Sequence, residues 1–439
     1  MVQIDNLSGE LLQQRWDKLI SVIEKEVEVV KAKGNSVIPI VDFSDSVIER
    51  NGQFVFKDEV VEKIRRVGSV VVRNVIPKNE ARELKVELDS YLENNPKVKE
   101  ANTNMYHLFW TPSQLKARSH PNMIKLQQAL MSVWHCRDSD SQEVSTKFPL
   151  AFADRFRIRP PGSQMSLFPH VDGGFIGIGD NKAEFNRIFA KILDEDGDFE
   201  EYDPFDFTDR LDALDNVHAA ERGKGNAAFR MFQGWLSMST TGPGGGTLQV
   251  NPMLKYTSAY ALLRPYFASS PDFKGEPADD DATVPWKFTG RDIFKGQPSR
   301  QHMHNTHPHL QLDKTMVSAP EVEPGDYVAW HCDTIHAVEF ESHGPGDASV
   351  MYIPAVPLTQ DNVYYVLEQR KAFENLTTTT IFGRDSEEKS HVGAGSAQDI
   401  VGTRALQAMG LGTVPFDVSQ ATSAGERQII EKANKLLFV

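Results

Sequence analysis

The residues best suited to chemistry are His170 and Asp172, one residue apart, and a histidine far downstream. Side chains two positions apart on a β-strand point to the same face, so His170 and Asp172 can converge on one ion. Much later, the stretch 324–336 begins with Pro-Gly-Asp and ends at His336. Two imidazoles and one carboxylate suit iron(II) and leave coordination positions open. The sequence therefore predicts a metal site formed by His170, Asp172 and His336.

A second histidine, His331, competes with His336 for the third ligand position. It lies between Trp330 and Cys332 in an expected strand, an odd number of residues before His336. Because alternate residues of a strand face opposite sides, the two histidines cannot both face one ion. We favour His336 as the ligand, and we expect His331 to pack in the interior or to support a ligand from behind.

A further group of histidines occupies the segment His302–His309. The segment holds no carboxylate at ligand spacing, and Pro308 indicates a loop. We expect a polar loop at the surface or at the rim of a cavity.

A run of alternating residues precedes the His-x-Asp pair. Arg155, Arg157 and Arg159 share one face of the expected strand, and Phe156 and Ile158 share the other. A guanidinium is costly to bury without an anion, and it pairs with a carboxylate through two parallel hydrogen bonds. The alternation therefore favours an anionic ligand beside the arginines, with surface ion pairs to nearby acids as the alternative.

Basic side chains that do not bind the first anionic ligand are available to bind a second one. Arg159 and Arg230 are weaker candidates for contacting a substrate with its own carboxylate or phosphate, such as an amino acid or another organic acid. Lys116 and Arg118 are candidates at the mouth of the same cavity, with solvated loop charges as the alternative.

Composition limits the class of protein. The 439 residues carry a net charge of −14, which argues against a nucleic-acid partner. Only two cysteines are present, so disulfides are not expected to stabilise the fold. The N-terminus has no secretory signal pattern, and no apolar run approaches the ~20 residues of a membrane helix. We expect a cytoplasmic protein that acts on a small molecule.

The order of elements along the chain is helices, then a strand-rich middle, then helices. Helices are predicted at 8–33, 58–67, 79–94, 360–376 and 403–410. Strands are predicted at 68–75, 151–159, 230–239, 247–251, 310–317, 325–330 and 348–354. Residues 183–222 are expected to be an insertion and a lid, the glycine-rich turn 242–246 a second lid, 276–281 an acidic loop, and 384–400 a mobile loop.

These elements predict one domain over residues 1–439. Its parts are an N-terminal helical and entry-strand region at 1–145, a strand-rich core at 146–357, and a C-terminal helical region at 358–439.

Three groups of residues resemble a known superfamily. They are 159–162 with 169–172, 235–238 leading through glycines into 246–252, and the stretch 324–336. With them the chain resembles the iron(II)- and 2-oxoglutarate-dependent dioxygenases. Within these it is most similar to the phytanoyl-CoA-dioxygenase-related branch, and there to the YbiU-like proteins of bacteria and fungi. The resemblance spans roughly residues 36–360.

The resemblance implies a double-stranded β-helix, a jelly-roll or cupin-like core of two facing sheets, which makes the chain mostly β with flanking helices. It implies iron(II), 2-oxoglutarate as cosubstrate and dioxygen. Most relatives carry an Arg or Lys ten to twelve residues after the second histidine, but 337–352 contains neither. The preceding strand lines the cosubstrate pocket in similar enzymes, so Arg155 or Arg157 is the expected anchor of 2-oxoglutarate.

The predicted function is the oxidation of an unactivated C–H bond of a small, anionic substrate by hydroxylation, desaturation or ring closure. Two alternatives stay open. One is an iron oxidase without a keto-acid cosubstrate, which the missing downstream cation favours and the arginine strand disfavours. The other is a non-catalytic, cupin-like protein that binds an organic acid. The substrate, the reaction outcome and the oligomeric state do not follow from the sequence.

Overall fold

A mixed sheet of seven strands, here called the large sheet, forms the centre of the fold. The computed structural model describes residues 7–98, 104–137, 140–172, 186–211, 228–269, 282–293, 306–382 and 388–438. In spatial order the strands are Ile40–Asp42, Ser69–Arg73, Tyr327–His331, Phe232–Ser237, Ala348–Tyr352, Phe156–Arg159 and Met105–Tyr106. The first two pair in parallel, and the other neighbours are antiparallel.

A second sheet, here called the small sheet, has three antiparallel strands. Their spatial order is Val317–Ser318, Leu248–Val250 and His336–Val338. The segment 164–170 runs along the other edge of His336–Val338, through a bridge between Gln164 and Glu341 and another between His170 and His336. This segment thereby adds a fourth row to the small sheet.

The chain alternates between the two sheets from residue 156 to residue 352. Strands 156–159, 232–237, 327–331 and 348–352 belong to the large sheet, and the segments between them include every row of the small sheet. Trp235 and Tyr352 of the large sheet and Leu248 and Val338 of the small sheet line one cavity. The two sheets therefore face each other across this cavity.

Helices and shorter strand pairs complete the described residues. The longer helices are Gly9–Lys33, Asp58–Val67, Lys78–Asn94, Pro112–Ser119, Pro121–Met131, Leu254–Leu263, Gln360–Asn375 and Ala424–Leu437. The shorter ones are Phe43–Ser46, Ala190–Leu193, Leu312–Thr315 and Thr403–Ala408. The remaining strand pairs are Val47–Arg50 with Gln53–Phe56, Ser145–Leu150 with Val356–Leu358, and Phe267–Ala268 with Lys287–Phe288.

The first helix forms where its apolar period predicts it. The Ser8 hydroxyl accepts a hydrogen bond from the backbone N–H of Leu11 at 3.2 Å, which caps the helix, and Gly34 follows its last residue. Its buried stripe includes Trp16, which stacks on Phe267 at 4.4 Å. Burying one such large side chain contributes roughly 1.5–3 kcal/mol, so this face ties the helix to the core.

Helices that the strand-rich interpretation missed change the fold class. Pro112–Ser119, Pro121–Met131, Leu254–Leu263 and Ala424–Leu437 were not predicted. Two of them begin with proline, which is favoured in the first turn of a helix although it also marks turns. The architecture is therefore a mixed α/β fold with a large mixed sheet, richer in helix than the mostly-β expectation.

One predicted strand and one predicted loop need correction. Most of 310–317 is a 3-10 turn and a short helix, because Gln311 adopts a left-handed backbone at φ 43° and interrupts the extended chain. The part of the expected mobile loop at 388–400 contains two 3-10 turns, and Glu388 there is fully buried. The acidic loop 276–281 lies outside the described residues.

The expected N-terminal region contributes directly to the large sheet. Strands Ile40–Asp42, Ser69–Arg73 and Met105–Tyr106 extend the same sheet that contains Tyr327–His331. The proposed boundaries near residues 145 and 357 remain predictions. Among the described residues, no helix combines the length and the apolar character needed to cross a membrane.

Candidate metal centre

Two adjacent strands of the small sheet bring His170 and His336 together. The backbone N–H of His170 donates to the carbonyl of His336 at 3.0 Å, and the N–H of His336 donates to the carbonyl of His170 at 2.9 Å. This exchange of both hydrogen bonds is an antiparallel pair, in which side chains leave the same face. The ladder therefore fixes the spacing of the two imidazoles, whose ring centres are 4.4 Å apart.

Asp172 completes the group. Its Oδ1 lies 3.1 Å from His170 Nε2, and its Oδ2 lies 3.5 Å from His336 Nε2. Metal–ligand bonds of about 2.1 Å at right angles place neighbouring ligand atoms about 3 Å apart, so these separations match a shared ion. The His336 side chain is 5% exposed and that of Asp172 is 44% exposed, which leaves one side of the group open.

The protonation of both rings follows from their other nitrogen. His170 Nδ1 is 2.6 Å from the carbonyl of Phe168, and His336 Nδ1 is 3.0 Å from the carbonyl of Thr334. A carbonyl only accepts, so each Nδ1 carries the hydrogen and each Nε2 presents a lone pair when the ring is neutral. Two lone pairs and a carboxylate then converge, and such acceptors need a proton or a cation between them.

The same contacts keep the carboxylate ionised. With both rings protonated at Nε2, burial acts to raise the pKa of Asp172, but the charge of His336 and the hydrogen bonds from both histidines outweigh it and lower that pKa well below its usual range. Burial acts to lower the pKa of His170, but the hydrogen bond with Asp172 outweighs it and raises that pKa. Asp172 is thus available as a charged ligand at neutral pH.

His331 occupies a different environment from His336. Its Nε2 lies 2.9 Å from the carbonyl of Pro204, its Nδ1 accepts from the N–H of Asp333 at 3.0 Å, and its ring stacks on Trp134 at 4.5 Å. His331, Cys332 and Asp333 lie close enough to hold an ion, but both ring nitrogens of His331 already have partners. The structure therefore brings His336, and not His331, to the His-x-Asp pair.

A cavity of about 260 Å³ opens next to the three residues, and His170, Asp172 and His336 line it. Arg157 also lines it, is 7% exposed, and lies over the ring of Tyr352 at 5.8 Å. Among the described residues its Nε has no hydrogen-bond partner and its guanidinium has no ion pair. A buried guanidinium without an anion is costly, so this position fits a negatively charged ligand.

The neighbouring arginines of the strand have different roles. Arg155 lines the cavity but pairs with Asp154, with Nε 3.0 Å from Oδ1. Arg159, which was a substrate candidate, donates to the carbonyls of Ser163, Gly246, Glu339 and Phe340 and to the Ser163 hydroxyl. Arg159 also lines the cavity, but all its N–H groups are used in holding loops, and its contact with a substrate stays a prediction.

Arg230 also lies at the cavity wall, where its guanidinium is 5.3 Å from the centre of the Phe152 ring. Lys116 and Arg118, the two remaining cation candidates, do not lie at the mouth of this cavity. Lys116 pairs with Glu87 in a separate surface groove. Arg118 is buried, donates to the Phe109 carbonyl, and lines another, much smaller cavity. Both residues lie on the helix Pro112–Ser119. The sequence did not show that this helix points their side chains away from the cavity of the metal centre.

The glycine-rich turn 242–246, which was expected to be a lid, is tied to a carboxylate by three hydrogen bonds. The backbone N–H groups of Gly244, Gly246 and Thr247 donate to the carboxylate of Glu339 at 2.9, 2.8 and 3.1 Å. A carboxylate of the protein thus holds the turn in place. Of the other expected lid, 183–222, the described part 186–211 packs against His331 through Pro204.

Sequence reasoning missed several polar groups of the cavity. Gln233, Thr247 and Trp330 line it, and each has a buried side-chain nitrogen or oxygen without a hydrogen-bond partner in the described structure. Alternation along 232–237 and 327–331 could have placed Gln233 on the inward face, but nothing in the sequence marks it as unpartnered.

Comparisons with known proteins agree over almost the whole chain. The family model described as Gig2-like matches residues 3–411. The Escherichia coli (strain K12) protein YbiU is 27% identical over 415 residues, covering 90% of this chain and 92% of that protein. The crystal structure of GlcNAc Inducible Gene 2, GIG2 (DUF1479), from Candida albicans superposes with a TM-score of 0.82 at 27% identity, covering 98% of this chain and 91% of that one.

A hypothetical protein of Escherichia coli, JW0805, superposes with a TM-score of 0.74 at 26% identity and covers 93% of this chain and 96% of that one. The expected likeness to YbiU-like proteins is confirmed. The wider placement in the phytanoyl-CoA-dioxygenase-related branch stays a prediction.

Proposed function

The chain belongs to the Gig2-like family, and we propose that it is a non-haem iron(II)- and 2-oxoglutarate-dependent oxygenase. It oxidises an unactivated C–H bond of a small, anionic substrate such as an amino acid or another organic acid. The observation that carries this proposal is the convergence of His170, Asp172 and His336 at one cavity with the unpartnered guanidinium of Arg157.

The donor set fits iron(II). Two imidazole nitrogens and one carboxylate leave three adjacent coordination positions, enough for a bidentate keto acid and dioxygen. The backbone carbonyls of Phe168 and Thr334 hold the Nδ1 hydrogens and keep both Nε2 lone pairs turned toward Asp172. His170, Asp172 and His336 are therefore the residues that would hold the metal.

Arg157 is the preferred anchor of 2-oxoglutarate. In similar enzymes a cation comes from the strand after the second histidine, which here is Ala348–Tyr352 and presents Ala348 and Val350 to the cavity. Arg157 pairs directly with Val350 on the neighbouring strand, so its side chain can supply the charge that this strand lacks. The ion pair with Asp154 makes Arg155 the weaker choice.

The alternation of strands between two facing sheets supports a double-stranded β-helix as the core. When bound, iron(II) with 2-oxoglutarate and dioxygen supplies the oxidation: the keto acid becomes succinate and carbon dioxide with one oxygen atom, and the substrate C–H bond receives the other. The chain positions the reactants. Trp235, Leu248 and Val338 provide apolar walls that exclude water from them.

To test this proposal, iron(II) and then 2-oxoglutarate are added to the protein without oxygen. The weak visible charge-transfer absorption band of the resulting complex is measured. We expect Asp172→Ala to abolish the band and Arg157→Ala to weaken keto-acid affinity by at least a hundredfold. Glu341→Gln, which changes a 42% exposed carboxylate that does not line the cavity, is the control and leaves both unchanged. Absence of the band in the unaltered protein would refute the proposal and favour the organic-acid-binding alternative.

Turnover separates the oxygenase from the iron oxidase. Amino and organic acids are screened for succinate release coupled to oxygen consumption. Oxidation of a substrate without succinate would refute the keto-acid role and leave the metal site standing.

A further inference from the structure

Two buried polar groups of the cavity have no role in the function proposed above. The indole Nε1 of Trp330 and the amide Nε2 of Gln233 have no hydrogen-bond partner in the described structure, and the two residues are 2% and 7% exposed. Buried polar groups in folded proteins are nearly always paired, and those left without a protein partner commonly bind a ligand or water. Both residues line the cavity of the metal centre.

The two groups lie side by side and close to the metal ligands. Trp330 and Gln233 are direct partners in the register of strands Tyr327–His331 and Phe232–Ser237. Directly opposite residues of an antiparallel pair have Cβ atoms about 5 Å apart, so one small molecule can contact both. The ring of Trp330 is 5.3 Å from that of His336. A ligand on this pair therefore sits beside the candidate metal.

The pair is remote from Arg157 along the large sheet. Val350 pairs with Arg157 on one side and with Ser237 on the other, so Ser237 lies two strands away from Arg157. Gln233 lies four residues from Ser237 on the same strand. At about 3.3 Å per residue and 4.8 Å per strand, the two Cα atoms are about 16 Å apart on a flat sheet. The five-carbon chain of 2-oxoglutarate spans only about 5 Å. The backbone positions of Arg157 and Gln233 are thus farther apart than one keto acid is long, so the two residues belong to different parts of the cavity wall.

We propose that Trp330 and Gln233 form the subsite for the primary substrate and bind a carboxylate or amide oxygen of it next to the metal. This inference rests on the proposed function, because it assigns the cosubstrate to Arg157. An indole N–H only donates, whereas a carboxamide both donates and accepts, so the pair matches a carboxylate or an amide better than an apolar group. The C–H bond that is oxidised then lies within a few atoms of a carbonyl carbon.

Nuclear magnetic resonance of the indole N–H groups tests this subsite without turnover. The protein is labelled with ¹⁵N-tryptophan and loaded with zinc(II), a diamagnetic ion. Trp330→Phe identifies the signal of Trp330 among the 6 tryptophans. We expect 2-oxoglutarate to leave this signal in place, and acetate or acetamide, added afterwards as probes, to shift it in a saturable way. Gln233→Leu should weaken the probe by about tenfold, the effect of losing about one hydrogen bond.

Trp134 provides an internal control. Its Nε1 is also buried with no hydrogen-bond partner among the described residues, but Trp134 does not line the cavity, so its signal should not move. If neither probe shifts the Trp330 signal, the subsite is overturned. If 2-oxoglutarate shifts it and Gln233→Leu weakens 2-oxoglutarate, the pair belongs to the cosubstrate and the inference is also overturned. A missing iron–keto-acid band together with a Trp330 signal that still responds to the probes would refute only the proposed function.

Discussion

A buried ion pair holds the turn that leads to His336, and its removal gives a quantitative prediction. Arg210 Nη1 lies 2.8 Å from Asp333 Oδ2, with side chains 1% and 0% exposed. Arg210 also donates to the Tyr202 hydroxyl at 2.9 Å. Burial acts to lower the pKa of Arg210, but the charge of Asp333 outweighs it and raises that pKa. The pair joins the described part of the insertion to the segment between strands Tyr327–His331 and His336–Val338.

Replacing Asp333 by Asn removes the negative charge that lies beside the buried guanidinium of Arg210. Losing one partner of such a pair costs about 3–5 kcal/mol, which lowers the ratio of folded to unfolded protein a hundredfold or more. The double variant Arg210→Met with Asp333→Leu removes both charges and should recover most of the loss, because apolar groups of similar size replace a buried pair at little cost.

The free energy of unfolding is measured by urea titration for the unaltered protein, for Asp333→Asn and for the double variant. Asp198→Asn, which removes an exposed ion pair with Lys18 in the same insertion, is the control and should change the free energy by less than about 1 kcal/mol. A double variant as unstable as Asp333→Asn would refute the reasoning, because the loss would then come from shape and not from an unpaired charge. Iron(II) affinity, measured alongside, should fall in Asp333→Asn, since His336 lies three residues further along the chain.

Four further predictions concern other parts of the molecule. His331→Phe should retain iron(II) and His336→Ala should lose it, as measured by metal content after gel filtration; the reverse result would exchange their roles. Arg157→Lys should keep part of the keto-acid affinity that Arg157→Ala loses, and Arg155→Ala should keep nearly all of it, because Arg155 pairs with Asp154. Glu339→Gln should speed hydrogen exchange of the amides of Gly244, Gly246 and Thr247, which lose a charged acceptor; unchanged exchange would show that other contacts hold the turn. Burial and the charge of Arg264 lower the pKa of His309 to about 4, below its ordinary 6.5, so its contribution to stability is complete above pH 6.5 and is lost as the pH falls toward 4. His309→Asn should therefore flatten the fall in unfolding free energy between pH 6.5 and 4, and an unchanged slope would assign that fall to other groups.

The sequence predicted those parts of the site that depend on residues close together in the chain. The His-x-Asp spacing indicated that His170 and Asp172 converge, and the structure brings them together although only His170 takes part in a bridge to a strand. The choice of His336 over His331 assumed a single strand, whereas the structure ends one strand at His331 in the large sheet and begins another at His336 in the small sheet. The sequence could not show that Arg159 is surrounded by backbone carbonyls, because Glu339 and Phe340 approach it from 180 residues away. Three arginines with the same pattern therefore have different partners.

The fold was less predictable where a residue type has two structural meanings. Pro112 and Pro121 each begin a helix that was not predicted, because proline is found both in turns and in the first turn of helices. The preceding Thr111 and the later Gln114 form a capping box, a signal that was present in the sequence. Helix Leu254–Leu263 has buried residues on nearly all sides, so the sequence shows no separate apolar and polar faces that would predict it. Its burial is a property of the tertiary structure.

The carboxylate of Glu339 has a consequence for selectivity. Loops rich in glycine often cradle phosphate through their amides. Here the equivalent amides of Gly244, Gly246 and Thr247 already donate to a carboxylate that belongs to the protein itself. A phosphorylated metabolite entering from this side would meet repulsion instead of a cradle. The function proposed above therefore predicts that the negative charge of a ligand is held at Arg157 and not at this turn.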